Sequence, residues 1–149
     1  MNRVAKFVAS GCFAGYCPLA PGTAGSAFIA LLYWLLPTTN QWFWFSIAGV
    51  FFFIGVFVST QAEQCWGEDA GRIVIDEMVG FLAAVLFLPK ISLVVILAFF
   101  IFRFLDIVKP FPAHRLQRLP GGWGVMVDDL VVGIYTNLLL RGVIFLFKL

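Results

Sequence analysis

The stretch from Trp42 to Thr60 is apolar and contains no charged residue, and this feature constrains the fold most strongly. A membrane-spanning helix needs about 20 mostly apolar residues, so this stretch is long enough to cross a bilayer. The whole chain of 149 residues is similar in character, with 62% hydrophobic and 12% charged residues. Soluble domains carry about 25% charged residues. A water-soluble fold, a disordered chain and a nucleic-acid module are therefore excluded, and a single membrane-embedded catalytic domain over residues 1–149 is predicted.

Further apolar segments are separated by glycine, proline or charged residues, as expected of several spanning helices. The fold class predicted is all-α, a polytopic bundle of about five spanning helices. Met1 to Phe13 is interpreted as an interfacial or partly inserted helix, with a cleaved signal peptide as the less favoured alternative. The start of the first span stays open, since the turn Pro21-Gly22-Thr23 could extend it. The five predicted spans are Ala24 to Leu36, Trp42 to Thr60, Ile73 to Leu88, Ile91 to Val108 and Val125 to Phe147.

The distribution of basic residues predicts the orientation. Cytoplasmic loops carry an excess of Lys and Arg. If the N-terminus is cytoplasmic, the outer side keeps only Lys90, Lys148 and the nearby Arg141. The cytoplasmic side then collects Arg3, Lys6, Arg72, Lys109, Arg115 and Arg118. A cytoplasmic N-terminus is therefore predicted.

Five of the eight acidic residues fall inside or at the edge of predicted spans. The third and fifth spans carry them in their first turns and the fourth in its last turns, so in this topology all five lie at the cytoplasmic end. An Asp at the centre of a spanning helix costs about 2.5–3.5 kcal/mol, and such residues are usually functional. These five, expected to be catalytic, are Asp76, Glu77, Asp106, Asp128 and Asp129.

A purely structural explanation covers each charge separately but not their convergence. Acids in a first turn complement the helix dipole, and Arg103 and Asp106 could simply pair at i, i+3. Five carboxylates at one level would repel one another unless a cation lay among them. Mg²⁺ takes oxygen ligands from a few carboxylates and keeps water ligands. Neighbours on a helix diverge by about 100°, so both members of an acidic pair need not bind the metal. The predicted Mg²⁺ ligands are Asp76, Glu77, Asp106 and Asp129.

A phosphate pocket would complement that metal. The segment Pro21 to Ser26 places small residues and hydroxyl groups where the first span begins, and the backbone N–H groups of a helix start attract anions. By itself, an ordinary Thr cap with close helix packing explains this segment better. Lys109 and Arg103 add positive charge on the same side. The predicted substrate-binding residues are Gly22, Thr23, Ser26, Arg103 and Lys109.

Four ordered motifs together resemble the signatures of the bacterial phosphatidylglycerophosphatase A family. They are Cys17 to Ser26, Ile73 to Gly80, Phe102 to Pro112 and Gly121 to Leu130. The resemblance covers nearly the whole chain. It implies Mg²⁺-dependent removal of the terminal phosphate from phosphatidylglycerophosphate in the bacterial inner membrane. The topology derived above predicts that the active site faces the cytoplasm. The implied partners are this substrate and membrane lipids, without nucleic acid, and a homo-oligomer stays open.

Alternative functions fit the sequence less well. A histidine-nucleophile lipid phosphatase needs more than the single His114, and the Asp-x-Asp and CDP-alcohol phosphotransferase motifs are absent from the sequence. A small cation transporter or channel could also use buried carboxylates. Against that alternative, the acids lie at one end and form no path across the bilayer. Hydrolysis by a metal-activated water is predicted, with an aspartyl-phosphate intermediate as the rival that the sequence does not separate from it.

Overall fold

The computed structural model describes residues 3–67 and 70–148, and within them the chain is all-helical, as predicted. A single 3₁₀ turn, Ala14–Tyr16, follows the first helix. The seven α-helices are α1 Arg3–Ala9, α2 Pro21–Leu35, α3 Gln41–Trp66, α4 Ile75–Val85, α5 Ser92–Val108, α6 Ala113–Leu116 and α7 Gly122–Phe147.

Helices α2 and α3 show how local chemistry sets the helix ends. Helix α2 begins with Pro21 at its first position, where a missing N–H is tolerated, so the extended start that the sequence left open is correct. Asn40 caps α3 by accepting a hydrogen bond from the Trp42 N–H at 3.0 Å. Helix α3 then runs six residues past the predicted end at Thr60, because no residue before Gly67, with φ 97°, stops it.

Helix α7 begins at Gly122 rather than at the predicted Val125. The Gly122 N–H donates to Thr60 Oγ1 on α3 at 2.9 Å, so a neighbouring helix satisfies one of the exposed donors at this helix start. Helix α5, by contrast, begins within one residue of its predicted start and ends at the predicted Val108.

Helix α4 lies at the centre of the bundle and contacts α2, α3, α5 and α7. All of its residues except Glu77 are buried. It has 11 residues against the predicted Ile73 to Leu88, which at about 1.5 Å per residue is shorter than the hydrocarbon core of about 30 Å. At the C-terminal end of α4, the side-chain amide of Asn137 on α7 supplies hydrogen-bond donors to the last carbonyls. It donates to those of Ala83, Ala84 and Leu86 at 3.2, 3.0 and 2.8 Å.

Helix α1 is shorter than the predicted segment Met1 to Phe13, of which Met1 and Asn2 lie outside the described residues. Its buried residues Ala5 and Ala9 join a small core with Val58 and Ala62 of α3. The helix stops because the three residues 11–13 all have positive φ angles, which a right-handed helix does not allow.

Two described helices, α3 and α7, are long and apolar enough to cross a membrane. Helices α2 and α5 are apolar but have 15 and 17 residues, so the predicted count of five spans stays a prediction. The starts of α2, α4 and α7 and the ends of α3 and α5 lie at one end of the bundle, which we call the site end.

Candidate active site at one end of the helix bundle

Two glycines set the register between α4 and α7. A Cβ added to Gly133 would overlap the carbonyl oxygen of Gly80, and one added to Gly80 would lie 2.7 Å from the carbonyl oxygen of Asp129. Backbones can approach this closely only where side chains are absent. Residues four apart lie on the same helix face, so Asp76 lies one turn before Gly80 and Asp129 one turn before Gly133. The glycine contact therefore brings these two acids together.

Asp76, Glu77 and Asp129 form what we call the carboxylate cluster. Each contributes one carboxylate oxygen, and these oxygens all lie within 4.8 Å of one another. Asp76 and Asp129 are 7% and 1% exposed. One oxygen of each residue (Asp76 Oδ1, Glu77 Oε2 and Asp129 Oδ2) is buried without a hydrogen-bond partner. Burying a carboxylate costs free energy unless a cation pairs with it. The close spacing of these oxygens and their lack of hydrogen-bond partners are therefore those expected of a cation site.

Lys109 lies close to three carboxylates of the site. It ends α5 in a left-handed conformation with φ 46°, which turns the chain back at this point. Its Nζ lies 2.5 Å from Asp128 Oδ2 and 3.8 Å from both Asp106 Oδ1 and Asp129 Oδ1. Burial lowers the pKa of Lys109, but the carboxylates of Asp129, Asp128 and Asp106 raise it by more, so the net pKa is above the ordinary lysine value. Lys109 is therefore a fixed positive charge.

Arg103 joins the acids of α4 and α5. Its Nη1 lies 2.6 Å from Asp106 Oδ2 and 3.9 Å from Glu77 Oε1. Its Nε is buried and has no hydrogen-bond partner. A buried guanidinium N–H without an acceptor is costly, and an anionic oxygen would satisfy it. The site therefore has an unsatisfied donor close to its unsatisfied acceptors.

The first turn of α2 completes the site. A Cβ on Gly22 would overlap Glu77 Oε1 and lie 3.1 Å from Arg103 Nη2, so only glycine fits here without displacing them. No side chain caps this helix start, which leaves backbone N–H groups of the first turn for another acceptor. Thr23 follows and is half-buried. Ser26 is fully buried, and its hydroxyl donates to the Gly22 carbonyl at 2.8 Å.

The predicted site residues thus converge, although their surroundings differ. Asp106 and Asp128, placed in the site by the sequence, lie beside the carboxylate cluster and are engaged by Arg103 and Lys109. The cluster of three contains three of the four predicted metal ligands; the fourth, Asp106, is oriented toward the two cations. The Ser26 hydroxyl faces its own helix, and its predicted contact with substrate stays a prediction.

The sequence did not single out the residues that position the site. Gly80 and Gly133 each follow an acid by four residues, a shared spacing that could have indicated a common contact. Asn137 is a polar amide within an apolar span, and such residues commonly bind a neighbouring helix. The sequence predicts Thr60 only as the end of a span, whereas in the structure its hydroxyl caps the start of α7.

The chain is similar to a known protein family and to individual bacterial proteins. A model of the family "Phosphatidylglycerophosphatase A" matches residues 7–144. A Bacteroides thetaiotaomicron protein, provisionally named phosphatidylinositol-3-phosphatase, is 39% identical over 141 residues, covering 89% of each chain. Phosphatidylglycerophosphatase A of Escherichia coli is 37% identical over 91% of this chain and 81% of its own. The Haemophilus influenzae protein of that name is 36% identical over 78% and 74%. No solved structure matches.

Proposed function

Because this chain belongs to the phosphatidylglycerophosphatase A family and is thus a phosphatase of lipid metabolism, we propose that it converts phosphatidylglycerophosphate into phosphatidylglycerol and inorganic phosphate. One observation supports this function most strongly. The buried, unpartnered Arg103 Nε lies in the same site as the unpartnered oxygens of the carboxylate cluster. A phosphate bound together with a cation would satisfy both sets of atoms.

The proposed cation is Mg²⁺, held by Asp76, Glu77 and Asp129. Five carboxylates face two cationic side chains in this site, which leaves an excess of negative charge. Hard divalent cations prefer oxygen ligands, and Mg²⁺ usually binds through few carboxylates plus substrate phosphate. Bound there, it would supply Lewis-acid polarisation of the phosphoryl oxygens. Asp106 would support the site through Arg103 and Lys109.

The phosphate would lie between the carboxylate cluster and the cationic side chains. Arg103 Nε and the Lys109 ammonium would each contact a phosphate oxygen, and the first turn of α2 would offer backbone N–H groups. Gly22 keeps this helix start close to Glu77 and Arg103. These contacts would hold the phosphorus near the carboxylates and stabilise the charge that develops on its oxygens.

In the proposed reaction, a water oxygen attacks the phosphorus while the bond to the glycerol oxygen breaks. A carboxylate takes one proton from the water and passes it to the glycerol oxygen, which leaves as a hydroxyl group, while the other water proton stays on the released phosphate. Asp106 and Asp128 are engaged by cations at 2.6 and 2.5 Å, so a residue of the carboxylate cluster is the better base. The rival is attack by an Asp oxygen, followed by hydrolysis of the aspartyl-phosphate. A single turnover in ¹⁸O-water, quenched in acid, separates them. Direct attack labels phosphate and leaves no phospho-enzyme, whereas the rival gives a trapped phospho-enzyme, with label in an Asp carboxylate where water attacks the acyl carbon.

We place the site end at the cytoplasmic leaflet, in a bundle of five spans. The basic residues Lys6, Arg115 and Arg118 lie on α1 and around α6, close to the site end, and basic segments favour the cytoplasmic side. An anionic headgroup would meet the same positive charge at the surface. The carboxylate cluster is confined to this one end, which does not favour the transporter alternative.

A second substrate is suggested by one relative. The Bacteroides thetaiotaomicron protein carries the name of a phosphatidylinositol-3-phosphatase. Both lipids are anionic phosphate monoesters, which the same cations and metal could hold. The two differ in the alcohol that leaves, a flexible glycerol or an inositol ring.

The test measures phosphate release from vesicles that contain either phosphatidylglycerophosphate or phosphatidylinositol 3-phosphate. We expect the wild type to hydrolyse the first and to form phosphatidylglycerol. Asp76→Asn keeps the side-chain shape but removes a cluster carboxylate, so it should abolish turnover while elution from a sizing column in detergent is unchanged. Activity on phosphatidylinositol 3-phosphate alone would reassign the substrate. Full activity of Asp76→Asn would reject the site.

A further inference from the structure

An apolar groove of about 260 Å³ runs between α2 and α5 on the outside of the bundle. Its α2 side combines the small Ala27 and Ala30 with the larger Leu31 and Trp34, and its α5 side carries Val95, Ile96, Phe99 and Phe100. Small side chains on one helix opposite large ones on the other leave a furrow between the two helix axes. Ala27 and Ile96 are both exposed, so the furrow opens to the surroundings of the protein.

The near end of the groove adjoins the candidate active site. Gly22 on α2 abuts Arg103 on α5. At about 1.5 Å per residue, Ala27 lies about 7 Å along α2 from Gly22, and Phe99 lies one turn along α5 from Arg103. The two helices run in opposite directions, so both walls of the groove lead away from the same point.

The far end is closed by a side chain. Trp34 lines the groove, and its indole Nε1 donates to Ser92 Oγ at the start of α5 at 3.2 Å. This bond ties the end of α2 to the start of α5. From Gly22 to Trp34 the helix rises about 18 Å, close to half the hydrocarbon thickness of about 30 Å.

We propose that this groove binds one acyl chain of the phospholipid substrate whose phosphate lies at Arg103; the inference rests on the proposed function. The occupant follows from the two chemistries joined here. The site end offers the cations Arg103 and Lys109, whereas the groove offers almost no polar surface. A molecule that matches both is an amphiphile with an anionic head and a long apolar tail. The length of the groove fits the tail of a lipid in one leaflet.

Ala27→Phe tests the groove, because the exposed position accepts a large ring that would fill the furrow. We expect kcat/KM for long-chain phosphatidylglycerophosphate to fall by about tenfold, since the ring occupies the space of the acyl methylenes and their packing contacts with the groove are lost. The value for a short-chain, water-soluble form of the same lipid should stay unchanged, because its tails do not reach the furrow. Val50→Phe is the matched control, adding the same ring to the exposed face of α3, and it should change neither value.

Trp34→Ala gives an independent test, because it opens the far end. The wild type should gain kcat/KM with chain length until the tail reaches Trp34, and Trp34→Ala should extend that gain to longer chains. Trp34→Phe removes the hydrogen bond to Ser92 but keeps most of the bulk, so its chain-length profile should match the wild type.

The outcomes separate this inference from the proposed function. A wild type that hydrolyses neither form of the lipid contradicts the proposed function. If the wild type hydrolyses both forms, two results would contradict acyl-chain binding in the groove. In one, Ala27→Phe lowers long-chain and short-chain turnover equally; in the other, it lowers turnover no more than Val50→Phe does. A wild-type dependence of kcat/KM on chain length in Trp34→Ala would also overturn acyl-chain binding in the groove, and this test holds even if Ala27→Phe fails to fold.

Discussion

At the scale of single residues, Gly22 links the helix start to the charged side chains. Gly22→Ala should lower kcat strongly, because the new methyl group must displace Glu77 Oε1 and press on Arg103 Nη2. Alanine stabilises a helix by about 1 kcal/mol relative to glycine, so the substitution should not destabilise the backbone of α2. Gly142→Ala is the control, since a Cβ there meets nothing within 4 Å. Equal kinetics in the two variants would show that Gly22 does not shape the site.

Lys109 is the second residue whose role can be isolated. Lys109→Ala removes a charge-assisted contact to phosphate, worth about 1.5–3 kcal/mol, so kcat/KM should fall by about one to two orders of magnitude. Phosphate release from lipid vesicles measures this loss. Lys148→Ala removes an exposed lysine beyond the end of α7 and should have no effect. Wild-type kcat/KM in Lys109→Ala would exclude the residue from substrate binding.

The residue types of the site were predictable, because charges inside apolar segments are conspicuous. Five acids and two cations were expected at one end, and the structure brings them there. The sequence does not predict which of the acids contact the cationic side chains of Arg103 and Lys109. Asp106 is held by Arg103 at 2.6 Å, and that pairing depends on side-chain directions that spacing along the helix allows but does not decide.

At the scale of helices, the shortness of α4 is explained by its neighbour. Asn137→Leu keeps the approximate volume but leaves the carbonyls of Ala83, Ala84 and Leu86 without their donor. We expect a loss of about 1–2 kcal/mol in the free energy of unfolding, measured as a lower melting temperature in detergent. Thr136→Val is the control, since Thr136 bonds only to Val132 on its own helix. Equal melting temperatures for the two variants would contradict the capping role.

The helix boundaries show why sequence patterns locate segments better than ends. Apolar runs predicted α5 to within one residue, because proline and charge bound it on both sides. Helix α3 ran past its predicted end, since polar residues such as Gln61 and Glu63 permit helix. Helix α4 ends before its predicted end because Asn137, distant in sequence, donates hydrogen bonds to its last carbonyls. Tertiary contacts of this kind leave little trace in a local pattern.

At the scale of the whole molecule, the orientation in the membrane can be read with cysteine labels. Cys12 and Cys65 are exposed; Cys65 lies in the last turn of α3, and Cys12 follows Gly11, which contacts Val74 before the start of α4. An impermeant maleimide should therefore reach them only from the cytoplasmic side of membrane vesicles. Thr39 is exposed at the opposite end, before α3, and Thr39→Cys in a background without other cysteines should react only from outside. Labelling of the native cysteines from the outside alone would reverse the proposed orientation.

The proposed reaction depends on a divalent cation held by the carboxylate cluster. The most direct measurement is phosphate release from phosphatidylglycerophosphate by the purified enzyme, after EDTA treatment and during titration with Mg²⁺. We predict no turnover without the metal, full recovery on adding it, and no recovery in Asp129→Asn, which loses a cluster ligand but keeps its shape. Undiminished turnover by the EDTA-treated wild type, or Mg²⁺-dependent turnover of wild-type magnitude in Asp129→Asn, would contradict the account.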